Sequence, residues 1–170
     1  MKKFLKFGCL GIIAIFTILV IVMIVDISND NPKEKDKPQE TVTTTAKWEE
    51  KIKNVASSNK NPNEKFHEVS KYAQNYKPTK DEVKQFGDAI IKEYKDRNYI
   101  KDISTHEYML TNIFKSQVVD RNTSEKPLKD FAFDFWQNSK YNYRAVENAT
   151  SGTTVANEHQ MDKALNMINK

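Results

Sequence analysis

The chain has 170 residues, with 27 basic and 23 acidic side chains, a formal charge of +4 and a single cysteine, Cys9. Lys2, Lys3 and Lys6 all precede the first acid, Asp26, and the chain beyond them balances 24 bases against 23 acids, a net +1. That balance excludes the broad basic footprint of a nucleic-acid binder. One cysteine excludes an intrachain disulfide, so any folded domain must stand on its apolar core.

From Phe7 to Val25 the chain runs nineteen residues without a charge. As a helix this segment spans roughly 28 Å, the thickness of a bilayer's hydrocarbon layer. A helix satisfies its own backbone hydrogen bonds, which lipid requires. Residues 7–25 therefore read as a transmembrane signal-anchor. Lysines before the span and Asp26 and Asp30 after it place residues 1–6 in the cytoplasm and the C-terminal part outside. The competing reading is a cleaved signal peptide. It wants a shorter apolar core and a small-x-small exit, whereas the exit here is Val22-Met23-Ile24-Val25. Gly8, Gly11, Ala14 and Thr17 recur every three residues. They would let a second copy approach closely, though without the four-residue spacing of the usual dimer motif.

Residues 26–45 carry Pro32 and Pro38 among alternating charges and only Ile27 and Val42 as strong apolar groups. Such a segment cannot repay the entropy of ordering and reads as a flexible stalk, with a reach of about 25 Å.

Residues 46–170 show helical periodicity throughout. Trp48, Ile52 and Val55 open a first helix. Phe66, Val69, Ala73 and Tyr76 mark a second, entered after Pro62-Asn63. A third begins at Thr79, where Glu82 completes a capping box, and presents Val83, Phe86, Ile90 and Tyr94. Gly87 weakens that helix by up to about 1 kcal/mol, which a close crossing with a neighbour would offset. Ser104 and Glu107 propose a second capping box ahead of Leu110, Ile113, Phe114 and Val118, with the polar run from Asp120 to Lys126 ending the helix. Pro127 suits the first turn of the next helix, whose stripe is Leu128, Phe131, Ala132, Phe135 and Trp136. Phe131, Phe133 and Phe135 also fit the period of a strand, but Leu128 and Trp136 fit only the helix. A last helix starts near Thr154 and carries Met161, Ala164, Leu165 and Ile168. The expected fold is all-α, a small extracytoplasmic domain of about five or six helices behind one transmembrane helix.

Residues able to do chemistry are few. His67, His106 and His159 lack ligand spacing, and His106 shares a face with Leu110 and Ile113, so no metal site is expected. Beyond the anchor only Gly87 and Gly152 remain, too few for a phosphate-cradling loop. No cofactor is expected. Asp130 and Asp134, four apart near Phe133 and Trp136, are the one carboxylate pair that acid–base chemistry on a wall polysaccharide would use. The plainer account is a solvated pair offsetting the helix dipole. The aromatic run Phe131, Phe133, Phe135, Trp136, Tyr141, Tyr143 is denser than one face can bury. Phe133 with Tyr141 and Tyr143 is therefore the candidate partner-binding patch, unless a second helix covers it.

The charged N-terminus, the Gly8-Cys9-Leu10-Gly11 leader, the apolar anchor and the Lys/Asn-rich remainder (24 Lys against 3 Arg in the whole chain) resemble many small membrane-anchored proteins of Gram-positive bacteria. This resemblance covers the first 25 residues and the composition, and carries no functional motif. Two functions remain open. The first is a tethered binding or scaffold module that contacts another envelope protein. The second is a small cell-wall-active hydrolase. Two converging carboxylates in a cleft, one with a raised pKa, would favour the hydrolase. An aromatic patch without such a pair would favour the binder.

Overall fold

The computed structural model describes the backbone of residues 41–169 and the side chains of residues 47–169. Residues 7–25 and 26–40, read as anchor and most of the stalk, lie outside the described residues. Among the described residues no helix is long and apolar enough to cross a membrane.

Six helices make up the described chain, with no strand among them: α1 Thr41–Ser57, α2 Pro62–Asn75, α3 Lys80–Lys95, α4 His106–Asn122, α5 Lys126–Tyr143 and α6 Gly152–Ile168. The alternation of Phe131, Phe133 and Phe135 is thus helical, as Leu128 and Trp136 require. Helix α1 begins at Thr41, inside the stretch read as stalk. Trp48, Ile52 and Val55 pin its C-terminal half in the core, and extending an existing helix costs far less than starting one.

Two helix starts follow the capping rule. Thr79 Oγ1 accepts from the Glu82 N–H at 3.1 Å while Glu82 accepts from the Thr79 N–H at 2.8 Å. Asn61 and Glu64 form the same reciprocal pair ahead of α2. The box proposed at Ser104 and Glu107 does not form. Both Ser104 and Thr105 hydroxyls donate to Asp102, at 2.6 Å each, and the N-cap is Thr105 without a side-chain cap bond. Asp102 also accepts from the Ser104 backbone N–H at 3.1 Å, the donor that a capping box would give to Glu107.

Helix α4 is the centre of the fold, touching α1, α2, α3 and α5. Its sequence suggests one apolar face, yet Met109, Leu110, Ile113, Phe114, Val118 and Val119 are all fully buried, with Asn112, Ser116 and Gln117 between them. A helix surrounded by neighbours has no solvent face to mark. Phe114 stacks on Trp48 at 5.2 Å and on Tyr72 at 5.3 Å. At the end of α1 the buried Lys65 ammonium donates to the Ala56 carbonyl at 2.8 Å, supplying a partner and a positive charge to that C-terminus.

Helix α6 packs on α5, and much of what joins them is polar. Asn138 donates to the Thr154 carbonyl at 2.9 Å and accepts from Asn157 at 2.7 Å, and Asn142 donates to Thr154 Oγ1 at 3.2 Å. Tyr94 donates to Asp162 at 2.7 Å and Tyr99 to Glu158 at 2.8 Å, fastening α3 and the loop after it to the same helix. Gly87 gives Leu128 of α5 its close approach: a Cβ there would meet Leu128 Cδ2 at 3.3 Å.

Candidate functional site

Along α5 the helical period divides the residues cleanly. Phe131, Ala132, Phe135, Asn138, Ser139 and Asn142 turn inward and are buried. Asp130, Phe133 and Asp134 therefore fall on the outer side, where α6 covers one flank and leaves a groove. That groove holds a cavity of about 420 Å³ lined by Phe133, Asp130, Asp134 and Lys129 of α5, Gln160, Lys163, Ala164 and Met167 of α6, and Asp120 from the end of α4. Phe133 is 45% exposed and Met167 51% exposed, two large apolar side chains on opposite walls.

The carboxylates of the groove are not equivalent. Asp130 is paired with Lys126 one turn earlier, Oδ2 to Nζ 2.5 Å. Asp120 accepts from the Trp136 indole N–H at 3.2 Å. Asp134 is half-buried and makes no hydrogen bond or ion pair among the described residues. Burial, then the neighbouring Asp130 charge, push its carboxyl up to about 6. Neither acid lies in the first turn of α5, so dipole compensation does not explain Asp134, and it is not a fully solvated residue.

The aromatic candidates separate. Phe133 meets Trp136 edge to face, ring centroids 5.6 Å apart. Lys140 Nζ lies 4.7 Å above the Trp136 ring and 4.0 Å from the Tyr141 ring centre. Phe133, Trp136 and Tyr141 thus form one partly exposed strip along α5, bridged by an ammonium. Tyr143 does not join it. At 3% exposure it turns inward, shares a 3.0 Å hydrogen bond with His106 Nδ1, and is unavailable for contact with a partner. The reason is spacing: Tyr143 falls on the inward face with Ser139 and Asn142, whereas Tyr141 does not. Trp136, which the sequence stripe places in the core, is only half-buried.

His106 is a boundary residue in the bond to Tyr143, and burial followed by the nearby Lys65 charge lowers its pKa. Among the described residues no three His, Cys, Asp or Glu side chains group as metal ligands. Nothing in the sequence alone marks the groove residues of α6. Met167 and Lys163 carry no motif, and only the α5–α6 packing brings them opposite Phe133.

Chemically, Asp134 can exchange a proton near pH 6. Asp130 and Asp134 stand at i and i+4 on one helix, so both project from the same wall of the groove. Glycoside hydrolysis requires two carboxyl groups flanking the scissile bond, and Asp120, the one carboxylate from another helix, is held by Trp136. Comparison with family models, with curated proteins and with solved structures finds no match to this chain.

Proposed function

We propose that this chain is a membrane-tethered binding module that acts by protein–protein contact at a bacterial cell surface. In this reading residues 7–25 anchor it, residues 26–40 give it reach, and the helical domain faces outward to meet another envelope protein. The observation that carries the reading is the outer strip of α5. There the 45% exposed Phe133 stands beside half-buried Trp136 and Tyr141, while the other phenylalanines of α5, Phe131 and Phe135, are fully buried. Half-exposed aromatics beside a groove are what protein interfaces use as anchors. A photo-crosslinking residue placed at Phe133 in the membrane-inserted chain should form a discrete protein adduct, and one at exposed Lys53 on α1 should not. Equal labelling from both positions, or none from either, would overturn the reading.

One observation favours a second reading, a small wall-active hydrolase: Asp134 is poised near pH 6 beside Asp130. It predicts that the full chain releases reducing ends from wall polysaccharide and that Asp134→Asn abolishes the release. The common wall shared by the two acids favours the binder.

A further inference from the structure

We infer that the α5–α6 groove takes a cationic group on an apolar stem, a single lysine or arginine side chain presented by the partner protein. The inference rests on the binding reading and names the chemistry of its contact.

The walls and the floor set the stem. Phe133 and Met167 expose about half their surface on either side, and Ala164 closes the floor at 2% exposure. About 420 Å³ lies within the range of small-molecule sites and holds one long side chain with its flanking backbone. The methylenes of a lysine or arginine are apolar, while their head groups seek a carboxylate.

The charges set the head. Of the three carboxylates lining the groove, Asp134 alone has no partner among the described residues. Asp130 is paired with Lys126, and Asp120 is held by the Trp136 indole. Lys129 and Lys163 also line the groove, both exposed, and neither makes an ion pair with Asp134 or with any other acid among the described residues. Lys140 is engaged with the Trp136 and Tyr141 rings. Asp134 is consequently a half-buried carboxylate without a partner, on the same wall as the Asp130 carboxylate that repels its charge. A neutral ligand would deepen its burial without a partner, which costs free energy. An anion would add repulsion. A cation gives it a charge-assisted hydrogen bond and relieves the repulsion from Asp130. Phe133 adds a ring to the same site, where an ammonium or guanidinium gains from the aromatic face. The two lysines of the groove disfavour a polybasic run, so the site selects one cation rather than several.

The test uses the full chain in mild detergent, with carbon-13 in its aspartate carboxyls and methionine methyls. The probe is Nα-acetyl-lysine methylamide, and its uncharged counterpart is Nα-acetyl-norleucine methylamide. The lysine probe should shift the Met167 methyl and move the Asp134 titration midpoint downward from about 6. The norleucine probe should do neither, and Asp134→Asn should weaken the lysine probe by about tenfold or more. The buried Met109 and Met161 methyls report whether that variant still folds. Asp130→Asn serves as a second variant: it should lower the Asp134 midpoint without any probe and still bind. An Asp134 midpoint that ignores the lysine probe, or equal response to both probes, overturns the inference. If the crosslink at position 133 persists in that case, the binding reading survives alone. If the crosslink is absent as well, both readings fall.

Discussion

Phe133 and Trp136 stand one helical turn apart on α5 and meet edge to face at an interplanar angle of 84°. The pair lies at the boundary, outside a core in which Phe131 and Phe135 are completely buried. Their energetic roles should differ accordingly. Phe131→Ala opens a cavity and should cost about 3–5 kcal/mol of stability. Phe133→Ala should cost about 1 kcal/mol, chiefly the edge-to-face contact, while reducing partner binding by about 2 kcal/mol or more. Trp136→Ala should fall between them in stability, because the ring is half-buried and supports both Phe133 and Lys140. Thermal melts of the three variants beside the crosslinking assay give the comparison. A Phe133→Ala protein that melts like Phe131→Ala would remove the patch from consideration.

Asp134 should make stability depend on pH in a direction opposite to that of most carboxylates. Its folded pKa is raised, from 3.8 to about 6. Between those values the folded state holds a proton that the unfolded chain releases. The favourable contribution is complete below about pH 3.8 and is lost as pH rises through 6. Asp134→Asn should therefore stabilise the protein at pH 7, by about 1 kcal/mol once solvent screening of a half-exposed group is allowed for. The gain should shrink toward pH 4. Denaturant titrations at pH 4 and pH 7 measure it, and a variant less stable than wild type at pH 7 would show that the carboxylate has a cation nearby.

His106 titrates in the other sense. Its folded pKa lies below the ordinary value of 6.5, through burial and then the Lys65 charge. Stability from this residue is complete above about pH 6.5 and falls as the pH drops through the folded value, because the unfolded chain binds the proton more readily. Replacing His106 with Gln should flatten that decline. Tyr143→Phe retains the titration but removes the 3.0 Å hydrogen bond, at a cost of about 1 kcal/mol. Urea denaturation midpoints from pH 7.5 down to pH 5 distinguish the two variants. Identical slopes in wild type and His106→Gln would exclude the histidine as the source.

The proposed topology makes a separate prediction. Protease added to intact, wall-less cells should cut in the region of residues 26–40 and release the helical domain, leaving residues 1–25 with the membrane. Detection of a mature chain starting near residue 26 before any protease is added, or full protection of the C-terminus, would contradict an uncleaved anchor with its domain outside.

Much of the local structure could be read directly from the residues. The Thr79–Glu82 box, Pro127 in the first turn of α5, and the inward stripe Phe131, Ala132 and Phe135 are short-range patterns, governed by backbone donors and by 3.6-residue periodicity within one helix. Asn61–Glu64 is the same kind of short-range signal. The Ser104–Glu107 pattern failed because an equally local competitor, Asp102, took the Ser104 N–H that Glu107 would have accepted.

What the sequence determined by itself was the type of each element and the exposure of residues whose helix has one dominant face. Tertiary structure alone decided which helix would be surrounded, and so buried Asn112, Ser116 and Gln117 in α4 together with its apolar residues. It also decided that His106 would be the partner Tyr143 meets on the inward face, and that Met167, Lys163 and Asp120 would meet Asp134 around one groove. Periodicity specifies the angle of a side chain about its own helix axis. Which neighbour, if any, occupies that angle depends on how separate helices pack, and burial and pKa follow from that packing.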